Sequence, residues 1–180
     1  QIISSKGEMY QMEDLSFSNI GFQKNFKDLG LGIAYDDFGF DLYKEKSYYF
    51  SLGYKLDKDF SIGTNLKILS LNIQTLGSKE VFSYDVSAFY KFNRWMNFGV
   101  IGRNLNEPVM STKVEKSFQF GMTLSPFKML ALNMDYYIPP YSSDNRFLAG
   151  VQFNISNTVL FRLGYQTNPN NISTGLGFNI

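Results

Sequence analysis

The residues that carry most enzymatic chemistry are missing from this chain. It contains no histidine and no cysteine. That removes imidazole-based triads, thiol catalysis, disulfides, zinc knuckles and iron–sulfur sites. The adjacent acids Asp36 and Asp37 point to opposite faces if they lie in a strand, so they make no catalytic pair. Asp85 and Asp135 would have to meet across an interior, and nothing in their spacing brings them together. Gly30-Leu31-Gly32 and Gly175-Leu176-Gly177 are not followed by a helix whose N-terminus would hold phosphate. We therefore expect no catalytic residue, no metal site and no cofactor. What remains is a set of isolated charges among small polar residues: Lys67, Asp85, Arg103, Asp135 and Arg162.

The elements that must position those charges are legible from period-two alternation. Tyr48, Phe50, Leu52, Tyr54 and Leu56 alternate with Tyr49, Ser51, Gly53 and Lys55. Phe82, Tyr84, Val86, Ala88 and Tyr90 do the same against Ser83, Asp85 and Ser87, as do Phe118, Phe120, Met122 and Leu124 against Gln119, Gly121 and Thr123. Successive strand side chains point to opposite faces, so each segment has one apolar and one polar face. Similar segments fall near 15–26, 28–40, 47–57, 60–73, 81–92, 95–105, 116–125, 128–138, 145–155, 158–166 and 172–180. These are roughly eleven strands of about ten residues, the span of a tilted membrane strand. No window holds a 3.6-residue period. The expected class is all-β.

Composition agrees with this. The 180 residues are 44% hydrophobic and 17% aromatic but only 18% charged, with a net charge of +1. The longest apolar run is Met129-Leu130-Ala131-Leu132, far below the roughly 20 residues of a membrane helix. No basic run marks a nucleic-acid partner. Short connections at Asn25–Asp28, Asp57–Asp59, Asn93–Arg94, Pro126–Phe127 and Ser156–Asn157 alternate with longer ones at Asp41–Lys46, Gln74–Glu80, Asn106–Lys113, Pro139–Asn145 and Thr167–Asn171. That alternation fits an antiparallel up-and-down transmembrane β-barrel, with about 10–12 strands in this chain and one trimmed rim. Phe26, Phe60, Phe92, Trp95 and Phe127 flank the short turns, and Tyr43, Tyr48, Tyr137, Tyr141 and Tyr165 lie toward the longer loops. Two such belts are what the two lipid–water interfaces select. The five charges named above then face a lumen, where they set a channel's field, order a plug or simply pair. Lys67 and Asp85 are expected to meet on neighbouring strands, with Arg103 joining them. A change of apolar phase toward Leu71 and Ile73 is expected to mark a bulge near Ile68–Leu69.

The stretch Phe50–Lys67, FSLGYKLDKDFSIGTNLK, resembles the repeating hairpin of the FadL-like outer-membrane superfamily, most of all its PorV and PorQ branch. The phrase Phe98-Gly99-Val100-Ile101-Gly102-Arg103-Asn104-Leu105 resembles that branch's strand ending in a turn to an external loop. Leu163-Gly164-Tyr165 and Gly175-Leu176-Gly177-Phe178 resemble its late strands. The resemblance spans most of residues 28–180. It implies a bacterial outer-membrane barrel of about fourteen strands that passes hydrophobic or small solutes, or a barrel associated with type IX secretion. The implied partners are outer-membrane lipid, hydrophobic ligands and secretion-system components. No substrate-binding residue carries over. The family's small-residue N-terminal segment is absent, and the chain ends Asn179-Ile180 rather than on an aromatic.

A parity argument points the same way. Eleven strands would begin on one side of the membrane and end on the other, so an outgoing strand must precede residue 15. Residues 1–14 are expected to be too polar and irregular to form it, which makes the chain a segment of a longer barrel. The alternative of another class is a soluble β-sandwich or adhesion module that binds a partner through its long loops. The two differ in where the large alternating residues lie. Phe50, Leu52, Phe120, Met122, Leu132 and Phe161 are exposed in the first and buried in the second.

Overall fold

The computed structural model describes residues 2–8, 16–140, 144–156 and 158–178, and every regular element in them is a β-strand. The strands are β1 (Ile2–Glu8), β2 (Ser16–Phe26), β3 (Leu29–Phe40), β4 (Tyr43–Lys55), β5 (Phe60–Ile73) and β6 (Gly77–Lys91). They continue with β7 (Met96–Arg103), β8 (Ser117–Phe127), β9 (Leu130–Ile138), β10 (Arg146–Asn154), β11 (Val159–Gln166) and β12 (Asn171–Phe178). All twelve belong to one antiparallel sheet whose spatial order is the chain order, with β1 and β12 at its two ends. Tyr141, Asn157, Asn179 and Ile180 lie outside the described residues.

The chain divides into two compact units, one of Gln1–Leu56, Ile62–Val86 and Arg103–Lys116, the other of Asp57–Ser61, Ser87–Gly102 and Ser117–Ile180. In the first, Ile2, Phe22, Ile33 and Phe50 stand directly opposite one another across β1–β4, and all four are exposed. The opposite face carries the rows Gln23–Gly32–Ser51 and Asn19–Asp36–Ser47. In the second unit Leu124, Leu132, Val151 and Leu163 form an apolar row, and Thr123, Asn133, Gly150, Gly164 and Ser173 form the polar row beside it. Cross-strand neighbours of like polarity fix the register, because a one-residue slip would turn every side chain to the wrong face.

Among the described residues the only buried hydrophobic side chains are Leu71 and Leu160. Phe50, Leu52 and Phe120 are exposed, whereas Met122, Leu132 and Phe161 are half-buried. Full exposure of all six was expected. Met122 and Phe161 pair directly with Met134 and Phe153.

Four further expectations are corrected. The strand required before residue 15 is supplied by residues 1–14 after all: Ile2–Glu8 pairs with β2 from Ile2↔Phe22 to Glu8↔Ser16. Its composition hid it, because the backbone of β2 supplies the partners and the Phe17 ring reaches within 2.6 Å of where a Cβ on Gly7 would stand. The connections do not alternate strictly in length. Residues 43–46 and 77–80 are polar on both faces and read as loop, yet they are the starts of β4 and β6, leaving only residues 41–42 and 74–76 between strands. No phase change occurs at Ile68–Leu69, since Lys67 and Leu71 are both buried while Leu66, Ile68 and Asn72 are exposed. Finally, the turn expected at Pro126–Phe127 falls at residues 128–129. A register shift between Leu124 and Phe127 brings Ser125 and Pro126 into β8 as a bulge, where proline is tolerated.

Candidate functional site

Lys67 on β5 and Asp85 on β6 face the same side, and Lys67 Nζ lies 2.5 Å from Asp85 Oδ1. A third group completes the cluster. Asn104, the first residue after β7, has φ of 53°, a left-handed conformation that asparagine tolerates better than most residues. That turn lets its backbone N–H donate to Asp85 Oδ1 at 2.9 Å while its side-chain Oδ1 accepts from Lys67 Nζ at 2.5 Å. Ser83 Oγ donates to the same Asn104 oxygen at 3.1 Å, and Asn104 Nδ2 reaches the Glu115 carbonyl at 3.4 Å.

The cluster is dry. Lys67 is 6% exposed, Asp85 5% and Ser83 0%. Two charges taken out of water cost several kcal/mol each unless paired and hydrogen-bonded. Here each charge meets the other and an amide as well, and among the described residues no buried side-chain nitrogen or oxygen lacks a partner. Asp85 thus meets the Lys67 ammonium and a backbone N–H through one carboxylate oxygen.

Besides this cluster, three more charges are expected on the polar face: Arg103, Asp135 and Arg162. Arg103, expected as its third member, ends β7 half-buried, with its neighbour Asn104 making the contacts just described. On β9, Asp135 is opposite Gly121 and Leu148, and its carboxylate occupies the space that a Cβ on Gly121 would need. On β11, the Arg162 Nε donates to Gln152 Oε1 at 3.0 Å, and Gln152 Nε2 in turn donates to Asn154 Oδ1 at 3.0 Å. Asp135 and Arg162 sit at different heights, opposite Leu148 and Gln152 of β10.

The aromatics expected at the strand ends are mostly exposed. Phe26, Phe60, Phe92, Trp95 and Phe127 lie at or beside the short turns with open faces. Phe60, Tyr90, Phe92 and Phe98 form an edge-to-face chain with centroids 6.3–6.5 Å apart, and the Arg94 guanidinium covers Trp95 at 4.5 Å. Tyr165 is exposed near the end of β11, whereas Tyr48, expected toward a loop, is exposed in the middle of β4 because that strand already begins at Tyr43. Tyr137 differs: it is half-buried on the face of Asp135, beneath Arg146 at 5.9 Å, and Tyr136 takes the exposed position.

Sequence reasoning overlooked Asn104, Asn106 and Ser83 as members of the polar cluster. The available signal was an asparagine directly after the last strand residue, where a chain reversal favours left-handed backbone. The chain matches no known family model and no curated protein.

Proposed function

We propose that this chain is a non-catalytic outer-membrane β-barrel protein that passes small polar solutes, with its aromatic-flanked apolar face set in lipid. One observation carries the reading: large apolar side chains are exposed along the sheet, and among the described residues Leu71 and Leu160 are the only apolar ones buried. In water each such side chain forgoes about 1.5–3 kcal/mol of burial, whereas a bilayer solvates the whole face. A soluble sandwich would place that face between two packed sheets. In lipid every backbone N–H and C=O needs a partner, so the proposal requires that the free edges of β1 and of β12 each be paired in the membrane.

The polar face bears on which solute passes. Across β8–β12 it presents Gln119, Thr123, Asn133, Gln152, Gln166 and Ser173. A hydrophobic solute would strip water from such amides and hydroxyls without replacing their hydrogen bonds. A hydroxylated one exchanges bonds with them. This favours the small-solute branch of the expectation over the hydrophobic branch, and a secretion-associated role rests on resemblance alone. The test is reconstitution into liposomes. Swelling in isotonic small sugars, with a heat-modifiable band on electrophoresis, is expected. A chain that stays folded and monodisperse without detergent would defeat the membrane reading.

A further inference from the structure

The segment between β7 and β8, residues 104–116, is the longest connection whose residues are all described, and it is tied down. We propose that it is a latched lid whose catch is the Lys67–Asp85–Asn104 cluster, and that it moves as one body when the catch opens.

The ties to the strands concentrate at its start. Beyond the Asn104 contacts, the Leu105 N–H donates to the Tyr84 carbonyl at 3.0 Å. The Asn106 side chain then continues that ladder: its Nδ2 donates to the Phe82 carbonyl at 2.8 Å and its Oδ1 accepts from the Tyr84 N–H at 3.3 Å. A side-chain amide thus takes the place of a strand backbone. One further tie, from Lys79 Nζ to the Met110 carbonyl at 2.9 Å, holds the middle.

The rest of the segment is bonded to itself. The Glu107 N–H reaches the Asn104 carbonyl at 2.9 Å, Val114 N–H the Pro108 carbonyl at 2.8 Å, and Met110 N–H the Thr112 carbonyl at 3.0 Å. Val109 and Lys113 form an isolated bridge, and Lys113 Nζ is 3.0 Å from Glu107 Oε2. Internal bonding makes the segment a body; a few ties at one end make a catch. The side-chain bonds among those ties, from Asn104 and Asn106, are ones that water can replace on release, while Lys67 and Asp85 keep each other as partners. The hinge is where backbone conformation is least ordinary, at Asn104 (φ 53°) and Glu107 (φ 45°). Non-glycine residues hold such conformations when their surroundings over-determine them.

Asn104→Gly is the informative variant, because glycine keeps the left-handed backbone and its N–H to Asp85 and deletes only the side-chain bonds of the catch. With wild type and variant in detergent micelles, trypsin cleavage after Lys113 and Lys116 is timed by mass spectrometry. Lys58, in the exposed β4–β5 turn, is the internal reference. The expected result is slow cleavage at Lys113 and Lys116 in wild type, about tenfold faster in Asn104→Gly, with Lys58 unchanged. Asn106→Ala should shift the rate in the same direction by less. Equal rates in wild type and both variants, or wild-type cleavage as fast as at Lys58, overturn the latch. A second arm, planar-bilayer conductance, rests on the transport reading: Asn104→Gly should conduct more than wild type, and equal conductance overturns the lid's part in passage. If neither protein conducts, the transport reading falls while the cleavage ratio still decides the latch.

Discussion

Phe50 and Ser51 are neighbours on β4 with opposite surroundings. Phe50 lies exposed beside Ile33, while Ser51 faces Gly32 and hydrogen-bonds Asn65. If the first face meets lipid, Phe50→Arg should cost about 2–4 kcal/mol near mid-strand and Ser51→Arg distinctly less. Urea titration of the protein refolded in vesicles measures both, and equal costs would contradict the assignment of faces. The Lys67–Asp85 pair supplies a second residue-scale outcome. Lys67→Met should destabilise by about 3–5 kcal/mol, because it leaves a buried carboxylate uncompensated. The double change Lys67→Met with Asp85→Leu should recover most of that loss. If it loses as much as the two single changes combined, the two charges are not coupled.

At the scale of the element, the 104–116 lid has its own pH dependence. The Lys113 ammonium beside Glu107, with Lys116 behind it at 3.9 Å, holds the Glu107 carboxyl below the ordinary carboxylate value. A depressed folded-state pKa means that this contribution is complete above the unfolded value and is lost as pH falls through the folded one. Because Lys113 and Lys116 are exposed to solvent, the effect is modest and added salt weakens it. The absence of native cysteine lets Ser111→Cys carry a spin label without background. Its spectrum should hold constant from neutral pH down to the ordinary carboxylate range, then sharpen below it, and Glu107→Gln should flatten the response. Hairpins were the hardest elements to bound from sequence. Residues 43–46 and 77–80 are polar on both faces, as loops are, yet they pair as strand. Backbone pairing needs no apolar side chain, so alternation marks only the stretch where one face meets an apolar medium.

For the whole molecule, the single tryptophan is a depth gauge. Trp95 is exposed beside the β6–β7 turn, where the aromatic-belt reading sets an interface. In vesicles, quenchers attached high on the acyl chain should reduce its emission more than quenchers near the bilayer centre. Stronger quenching by the deep probe, or none from either, would count against the proposed depth and the membrane reading respectively.

The alternation of large and small residues was enough, by itself, to specify the all-β class, the limits of most strands and the two faces, because side-chain direction in a strand follows from backbone geometry alone. It also placed Lys67 and Asp85 on one face. Tertiary structure decided the rest. Strand β1 exists because β2 offers its weakly patterned residues a partner, and Asn104 joins the ion pair because the chain reverses after Arg103. Tyr136 rather than Tyr137 is exposed because the register through Asp135 set the parity of β9. These depend on which backbone lies beside which and on where water is excluded, and local residue patterns carry neither.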